Sequence, residues 1–501
     1  MNFNTLVNKD GNTVQALWVG MGSLSSFALA IVSAAILSRY FSKDEYGTYR
    51  QILYVYNTLL IVFTAGLPRV YSYFLPRYTA EQGRDIVSKI STMLFLLGLI
   101  FSIFLFGFSG VIAKILNNPE LSNGLKFFSP IPMLLLPTLG LEGIFSTYKK
   151  TIYIAIYNTT TRLLMLLFIV LPVVIFKGTY IHAILGWIIV SIVSLGIAFY
   201  MKVIPFKNIT AEKSNLSWKE IFSYSIPLVG ATIAGIAMRS ADQFYISRYY
   251  GTEIFAEYVN GFIEIPFVGM VTGATAMILM PQFSKMIYDK TSIHLITNLW
   301  KSALTKSALL IYPMVIFFIF NAKYIIILIY SAKYSNSFIY FQIAMVVNFF
   351  NIIIFAPLLF SMGETRFYMK TQILFAILAW IGEFIIVSLT KYPQIIAGYS
   401  VFLSTLLVLV FLKRVSIILK VPIKELIPLK KFISILIHNI TIILVVLLFG
   451  KYVISIQNDN LKFAFDLIAY VVLVLMTSSI FRNDYLFVIK SIILKKVDAK
   501  K

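Results

Sequence analysis

Cysteine is absent from the 501-residue sequence, so disulfides, thiolate nucleophiles and thiolate metal ligands are all excluded. Charged residues are also scarce, at 13% of the chain against about 25% in soluble domains, while apolar residues make up 59%. This proportion of polar residues is too small to cover the surface of one soluble domain or of several. The composition therefore excludes a soluble enzyme and predicts an all-α, polytopic membrane protein.

Motifs for nucleotide and metal chemistry are missing as well. The sequence contains no GxxxxGK phosphate-binding loop, no HExxH and no GxSxG, and its three histidines lie far apart. ATP-driven transport by this chain alone is therefore not expected, and no catalytic residue, metal site or cofactor is predicted. His182 and His438 lie near the ends of apolar runs and are expected to be solvated or interfacial.

Apolar runs of membrane-spanning length dominate what is present. Each run is bounded by charged or turn residues and is long enough to cross about 30 Å of hydrocarbon. The runs lie near residues 14–37, 50–74, 90–113, 125–146, 155–176, 181–201, 223–246, 256–280, 302–320, 338–361, 367–389, 393–412, 432–450 and 463–481. The sequence thus predicts about fourteen transmembrane helices, with the short apolar stretch Tyr324–Tyr330 re-entrant or interfacial.

The distribution of basic residues indicates an orientation. Lys and Arg number 43 against 21 Asp and Glu, a net charge of +22, and 30 of the 43 fall in segments that face the cytoplasm if the N-terminus does. Because cytoplasmic loops of membrane proteins are enriched in Lys and Arg, both termini are predicted to be cytoplasmic. Topology and attraction to anionic membrane lipids explain the positive charge, so no nucleic-acid partner is expected.

A short motif occurs twice in the chain. The segment 37–49, which begins LSRYF, recurs 209 residues later as the segment 246–258, which begins ISRYY, with acidic and aromatic residues at matching offsets. Six helices separate the copies, and an even number preserves orientation, so the repeat predicts two parallel six-helix lobes related by an axis along the membrane normal. The predicted domains are an N-terminal lobe at 1–205, a C-terminal lobe at 206–415, and two additional helices with a basic tail at 416–501.

At these residues the sequence resembles the multidrug/oligosaccharidyl-lipid/polysaccharide exporter superfamily, and within it the bacterial lipid-linked oligosaccharide flippases of surface polysaccharide synthesis. The residues that carry the resemblance are Leu37–Phe41, Asp44, Tyr46, Gly47, Tyr49 and Gly66–Arg69 in the first lobe, and Pro227, Asp242–Ser247, Gly251, Tyr258 and Pro281 in the second. The resemblance covers roughly the first twelve predicted helices. The two additional helices are similar to those of fourteen-helix members of the superfamily, which include lipid II flippases.

This resemblance implies a function, a location and partners. The implied function is movement of undecaprenyl-diphosphate-linked oligosaccharide from the cytoplasmic to the outer leaflet by alternating access. The implied location is the bacterial cytoplasmic (inner) membrane, where such a flippase serves the synthesis of O-antigen or capsule. Implied partners are the lipid-linked oligosaccharide, membrane lipids, and a polysaccharide polymerase with other assembly proteins.

Ionisable residues inside the predicted spans are the candidate site, because an unpaired charge in hydrocarbon is costly. By predicted depth, an inner set contains Arg69, Glu142 and Arg162, and an outer set contains Arg239, Asp242, Glu264 and Glu383. Arginine offers a planar fork of donors for phosphate oxygens, so Arg69, Arg162 and Arg239 are predicted to bind the diphosphate. Arg239 and Asp242 share a helix face and are expected to pair. The carboxylates are predicted to line the cavity or its gate.

A gate at the outer mouth is predicted from the charges near the two copies of the motif. Arg39 or Arg50 of the first lobe would meet Glu264 or Glu257 of the second when this mouth closes. Exposed ion pairs are worth about 0 to 1 kcal/mol each, so they would bias the equilibrium between two states without locking it. Coupling to a proton or to a sodium ion is compatible with the sequence, which does not choose between them.

Other functions stay open at this point. A multidrug or cation antiporter of the same fold would need an acidic cavity, which the outer set permits and the inner set opposes. A lipid II flippase would share the fourteen-helix architecture. A membrane polysaccharide polymerase would be an enzyme with a large outer loop, whereas the longest polar stretches, near 202–220 and 284–301, are short and predicted to be cytoplasmic. The sequence therefore favours a secondary transporter or flippase over an enzyme.

Overall fold

The computed structural model describes residues 12–454, 458–481 and 483–486, and in these ranges every regular element is helical. The all-α class predicted from composition is confirmed. The chain divides into two compact units, Met1–Ala256 and Glu257–Lys501. The predicted boundaries at 205/206 and 415/416 are drawn from the repeated motif and differ from the division at 256/257 between the compact units. They stay predictions.

The first unit contains long helices interrupted by short ones. In chain order these are α1 (Asn12–Tyr40), α2 (Lys43–Thr64), α3 (Leu67–Phe74), α4 (Ala80–Ile115), α5 (Glu120–Phe128), α6 (Ile131–Leu135), α7 (Leu141–Thr147), α8 (Ile152–Met165), α9 (Leu171–Phe176), α10 (Tyr180–Val203) and α11 (Trp218–Gly261). A 3-10 turn, Leu136–Thr138, follows α6, and a π-helical turn, Leu166–Val170, joins α8 to α9. The end of α11, from Glu257 onward, belongs to the second unit.

Two spans that the sequence predicts to be continuous are broken by residues with positive φ. Between α2 and α3 the chain bends by 45° at Ala65 (φ 48°) and Gly66 (φ 69°). Before α7 it breaks at Gly140 (φ 86°), a conformation that glycine adopts without the steric cost of a Cβ. The ring of Tyr71 on α3 occupies the place where a Cβ on Gly140 would point. The helices that follow the two breaks, α3 and α7, therefore pack closely against each other.

The second unit repeats this alternation of long and short helices. In chain order its helices are α12 (Pro266–Tyr288), α13 (Ile293–Phe320), α14 (Ala322–Tyr330), α15 (Ser337–Val346), α16 (Asn348–Asn351), α17 (Ala356–Ser361), α18 (Thr365–Leu389), α19 (Pro393–Leu419), α20 (Ile423–Leu426), α21 (Leu429–Phe449) and α22 (Asp459–Met476). A bidentate ion pair fixes α19 to the start of α18, with Arg414 donating to the Glu364 carboxylate at 2.8 and 3.1 Å.

The described helices make this a multi-pass membrane protein, but the predicted count of fourteen spans is not confirmed. Ten described helices are long and apolar enough to cross a membrane, or up to twelve if each of two bent pairs counts as one span. The predicted span near 338–361 is divided among α15, α16 and α17. The predicted span near 463–481 corresponds to α22, which carries three charged residues, Asp459, Lys462 and Asp466.

A buried polar network joins α21 to α22 and to the segment after it. Asn439 Nδ2 donates to the Tyr485 hydroxyl (2.8 Å), and Asn439 Oδ1 accepts from the Tyr470 hydroxyl (2.7 Å). His438 is fully buried beside them, with Nδ1 3.1 Å from the Tyr485 hydroxyl and Nε2 2.8 Å from the Thr477 hydroxyl. The expectation of a solvated or interfacial His438 is therefore wrong, because hydroxyl groups take the place of water around its ring.

Replacing Asn439 by leucine is expected to destabilise the second unit, because the buried Tyr485 hydroxyl loses its amide donor and an apolar group enters the network. A buried polar group without its partner costs about 1 to 3 kcal/mol, so the Tm in detergent should fall by several degrees. Thermal unfolding followed by intrinsic fluorescence measures this shift. Asn298→Leu, at an exposed position of α13, is the control and should leave Tm near the wild-type value. Equal Tm values for Asn439→Leu and wild type would contradict a structural role for the network.

Candidate substrate-binding site

The first part of the candidate site is the N-terminus of α2. The Ser42 hydroxyl accepts a hydrogen bond from the Glu45 backbone N–H at 3.1 Å, and the Glu45 carboxylate accepts one from the Ser42 backbone N–H at 3.2 Å. This capping box fixes where the helix begins. Tyr46, Tyr49 and Arg50 follow at spacings of three and four residues, so they occupy one side of α2.

Arg50 and these two tyrosines form the α2 part of the site. Arg50 Nη1 donates a hydrogen bond to the Tyr46 hydroxyl at 3.4 Å, and its guanidinium lies 5.9 Å from the centroid of the same ring. Tyr49 is buried, with its ring centroid 6.2 Å from that of Phe41 and 6.4 Å from that of Trp187 on α10. The Tyr49 hydroxyl is thereby held within electrostatic range of Arg50.

Arg162 approaches the same tyrosines from α8. Its guanidinium interacts electrostatically with the hydroxyls of Tyr49 and Tyr56 on α2 and of Tyr157 on its own helix. The Arg162 side chain is exposed, whereas Tyr49 and Tyr56 are buried. Arg162 therefore places an exposed cation within electrostatic range of buried hydroxyls on α2.

Two arginines therefore lie within electrostatic range of the Tyr49 hydroxyl. The arginine–tyrosine cluster, as we name it, consists of Arg50, Arg162, Tyr46, Tyr49, Tyr56 and Tyr157. Its groups are hydrogen-bond donors and cations, the combination that binds phosphate oxygens. Within the ranges that the structure describes, Arg162 forms no ion pair with a carboxylate, so its charge is available to an anionic ligand.

A second polar group lies on another side of α2 and connects the two copies of the repeated motif. Gln51 Nε2 donates to the Ser247 hydroxyl at 2.7 Å, and Gln51 Oε1 accepts from Asn118 Nδ2 at 2.6 Å. Asn118 Nδ2 also donates to the Thr48 hydroxyl at 2.9 Å. All four side chains are buried, and the Gln51–Ser247 hydrogen bond links α2 to α11.

Close backbone packing completes this contact between the motif copies. A Cβ on Gly47 would collide with the backbone carbonyl of Thr252, so only glycine allows the two helices to approach this closely. The Thr252 hydroxyl also bonds to the Asp44 carboxylate. One helical turn further along α2 from Gln51, the Tyr54 hydroxyl donates to the Ser240 carbonyl at 3.1 Å. We call the Gln51–Ser247 and Gly47–Thr252 pairs together the repeat contact.

The other predicted site residues of the first unit are dispersed. Arg69 on α3 and Glu142 on α7 are exposed on neighbouring helices, and neither forms an ion pair with any described residue. Arg39 is exposed at the end of α1, where Nη1 donates to the Ala35 carbonyl at 2.8 Å. The structure thus places Arg162 and Arg50 within electrostatic range of Tyr49, and the predicted roles of Arg69, Glu142 and Arg39 stay predictions.

Most of the predicted acidic residues are deeply buried. Asp242 on α11 is 2% exposed, with Oδ1 accepting from the Gln243 backbone N–H at 2.6 Å, and Glu383 on α18 is 0% exposed. Glu257 is also buried. Glu264 is exposed in the non-helical segment between α11 and α12, and Arg239 is exposed on α11. The predicted Arg239–Asp242 pair and the predicted gate residues stay predictions.

Sequence reasoning missed two parts of this region. Tyr46 and Tyr49 are part of the repeated motif, but no binding role is predicted for any tyrosine of the cluster, because an aromatic residue on an apolar helix is most often a core or membrane-interface residue. Lys202 begins the polar stretch 202–220 that is predicted to be cytoplasmic, yet it is buried within the first unit. Its position near the end of an apolar run gave no signal, because a lysine at a helix end usually extends towards water.

Solved membrane transporters share this fold. A structure of lipid II flippase MurJ in an inward closed conformation matches with a TM-score of 0.72 at 15% identity, covering 94% of this chain and 100% of that chain. An inward-facing MATE family multidrug resistance transporter of the MOP superfamily matches with a TM-score of 0.63 at 11% identity, covering 79% and 94%. A MOP superfamily transporter from Pyrococcus furiosus matches with a TM-score of 0.57 at 10% identity, covering 81% and 94%.

The fold is that of transporters and flippases of this exporter superfamily, as the resemblance seen in the sequence implies. A family model described as polysaccharide biosynthesis protein matches residues 36–339, more than half of the chain. The protein therefore belongs to this polysaccharide biosynthesis family. A search of curated protein sequences finds no match.

Proposed function

We propose that the protein is a flippase that moves undecaprenyl-diphosphate-linked oligosaccharide from the cytoplasmic to the outer leaflet by alternating access. The observation that carries this proposal is the exposed Arg162 guanidinium, set among tyrosine hydroxyls within a member of a polysaccharide biosynthesis family. The substrate joins an anionic diphosphate to a polar glycan, and both need hydrogen-bond donors inside the membrane. The arginine–tyrosine cluster supplies such donors.

The charges distinguish a diphosphate from a cationic substrate. A guanidinium donates two parallel hydrogen bonds to phosphate oxygens and keeps its charge, so two arginines around one tyrosine can hold a diphosphate through both phosphoryl groups. A cation would be repelled by the same pair. We expect Arg69 to receive the head group at the first unit's exposed surface and Arg239 to contact it later in the cycle.

The repeat contact fits a closed gate. It joins the two copies of the motif through one buried hydrogen bond and one close backbone approach between α2 and α11. We propose that this contact opens when the head group leaves. The charges predicted at the outer mouth, Arg39 or Arg50 with Glu257 or Glu264, would then adjust the equilibrium between open and closed states.

The proposal includes a location and an orientation. We place the protein in a bacterial inner membrane with both termini in the cytoplasm, where it would supply a polysaccharide polymerase and other assembly proteins of O-antigen or capsule synthesis. Because the natural chain has no cysteine, single cysteines report sidedness without interference.

Cysteines at Glu253 and Lys391 are expected to react with an impermeant maleimide added to intact cells, because positive-inside topology places both positions outside. Cysteines at Lys213 and Lys424 should react only after the membrane is permeabilised. All four positions are exposed in the structure, so differences in labelling reflect the side of the membrane. Labelling of Lys213 and Lys424 in intact cells, with protection of the other two, would reverse the orientation.

Deletion of the gene tests the substrate class directly. The proposal predicts that a lipid-linked oligosaccharide accumulates in the cytoplasmic leaflet and that surface polysaccharide is lost, with both effects reversed by the intact gene. Normal surface polysaccharide and no accumulated lipid-linked glycan would reject it. Accumulation of lipid II instead would assign the protein to cell-wall precursor transport.

A cation or multidrug antiporter is the second candidate, favoured by the buried carboxylates Asp242 and Glu383. Acidic groups inside a transporter can hold a cationic drug or exchange a coupling ion. This candidate predicts that the deletion strain becomes sensitive to cationic drugs while its surface polysaccharide stays normal. It also predicts that Arg162→Ala leaves drug efflux intact.

A further inference from the structure

Lys202 is a buried cation that the proposed binding site does not use. It lies near the end of α10 and is 4% exposed. Its Nζ donates to the Ser91 hydroxyl on α4 at 2.8 Å and to the Pro137 carbonyl at 2.6 Å, and it lies 5.4 Å from the centroid of the Tyr71 ring. One ammonium group therefore touches three separate elements of the first unit.

Two of those elements adjoin the breaks in the membrane-spanning helices. Pro137 is in the 3-10 turn that ends just before Gly140, and carbonyls at the end of a helical segment have no partner within it. The Lys202 ammonium supplies that partner and offsets the partial negative charge of the helix end. Tyr71 belongs to α3, which starts after the Gly66 break, and its hydroxyl lies 3.0 Å from the Ser91 hydroxyl. Lys202, Tyr71 and Ser91 thus link the turn before the Gly140 break to α3, the helix that follows the Gly66 break.

Among the described residues, none supplies a compensating acid beside Lys202. Tyr71 is the titratable side chain in contact with it, while α4 presents the Ser91 hydroxyl and the 3-10 turn presents a backbone carbonyl. No Asp, Glu, Lys or Arg among the described residues of the other helices packed on α10 interacts electrostatically with its ammonium. A charge buried without a counterion is stable only while its hydrogen bonds hold, so its protonation state and the Pro137 contact depend on each other.

We propose that Lys202 is a proton-binding site that controls the break at Gly140. With its proton bound, the ammonium holds the Pro137 carbonyl and keeps α7 against α3. When the N–H bond breaks, the electron pair stays on Nζ and the proton passes to water admitted at the break. The neutral amine then holds the carbonyl weakly, and α7 is free to move. This inference rests on the proposed transport function, for which it names the coupling ion as a proton.

The test uses the purified full-length protein in detergent and needs no substrate. A single cysteine at Leu139, next to the break, is labelled with a maleimide across a pH series, and its rate is divided by that of an exposed reference cysteine at Lys207 to remove the titration of the thiol itself. In the wild-type background this ratio should rise with pH by about tenfold, the change in the ratio of neutral to protonated amine over one pH unit.

Lys202→Gln keeps two N–H donors for Ser91 and Pro137 but binds no proton, so its labelling ratio should be independent of pH. Lys213→Gln, at an exposed position, is the matched control and should behave as wild type. If Lys202→Gln fails to fold, Lys202→Arg replaces it, with a permanent charge that should keep the ratio low at every pH. A flat ratio in the wild-type background, or a wild-type pH dependence in either Lys202 variant, would overturn the inference.

Transport separates this inference from the proposed function. In vesicles, an imposed proton gradient should accelerate movement of the lipid-linked oligosaccharide by the wild type and not by Lys202→Gln. If no lipid-linked oligosaccharide moves but the labelling ratio behaves as predicted, the substrate assignment is wrong and the proton site stands. If the lipid moves and the ratio is flat, the substrate assignment stands and the proton site is wrong.

Discussion

Replacing Arg162 by alanine is expected to lower the rate of lipid-linked oligosaccharide translocation by about tenfold to a hundredfold. A hydrogen bond to a charged group contributes about 1.5 to 3 kcal/mol, and each 1.4 kcal/mol corresponds to a factor of ten. The effect should be large because Tyr49, Tyr56 and Tyr157 remain in place without the cation they surround. Initial rates in vesicles, normalised to the amount of reconstituted protein, measure the loss.

Two further substitutions test whether the loss is specific to the Arg162 guanidinium. Arg162→Lys should recover part of the rate, since lysine restores the charge but not the planar fork of donors. Arg366→Ala removes an exposed arginine of the second unit and should leave the rate unchanged. A normal rate in Arg162→Ala would remove the main support for diphosphate binding by the arginine–tyrosine cluster.

Replacing Gly47 by alanine is expected to hold the repeat contact open and to stop transport. Alanine is a better helix former than glycine by about 1 kcal/mol, so α2 itself should be stabilised. The added Cβ collides with the Thr252 backbone, which cannot move aside without separating α2 from α11. Overpacking of this kind costs about 1 to 3 kcal/mol, enough to shift a two-state equilibrium towards the open form.

Labelling of a single cysteine at Ser240 detects that opening, because this position is only 6% exposed while the contact is closed. Gly47→Ala should raise the labelling rate together with the loss of transport. Gly107→Ala is the matched control, because no atom lies within 4 Å of its added Cβ. Unchanged labelling and normal transport in Gly47→Ala would show that the repeat contact is not part of the gate.

The sequence was sufficient for the features that depend on composition and periodicity. Long apolar runs predict membrane helices because hydrocarbon requires every backbone hydrogen bond to be made within the segment. The recurrence of LSRYF as ISRYY predicts two related lobes, and the structure brings residues of the two copies together at Gly47 and Thr252. Arg50, predicted at the outer gate, and Arg162, predicted in the inner set, both lie within electrostatic range of Tyr49, and their predicted roles stay predictions.

The remaining features depend on contacts between distant parts of the chain. The break at Gly140 is not visible in an apolar run, because glycine is common in membrane helices and rarely marks a positive φ by itself. Burial of His438 and Lys202 depends on hydroxyl and carbonyl partners from other helices, which no local pattern specifies. Predicted depth along a span also could not show that Arg162 faces the tyrosines of α2.

Reconstitution of the purified protein into vesicles tests the flippase assignment most directly. The vesicles would contain fluorescent undecaprenyl-diphosphate-linked oligosaccharide, and an impermeant reductant would report how much of the label reaches the outer leaflet. The account predicts protein-dependent movement of this lipid, slowed in Arg162→Ala, and no movement of a lipid with the same glycan on a neutral linker. Equal movement of both lipids, or movement of neither, would contradict it.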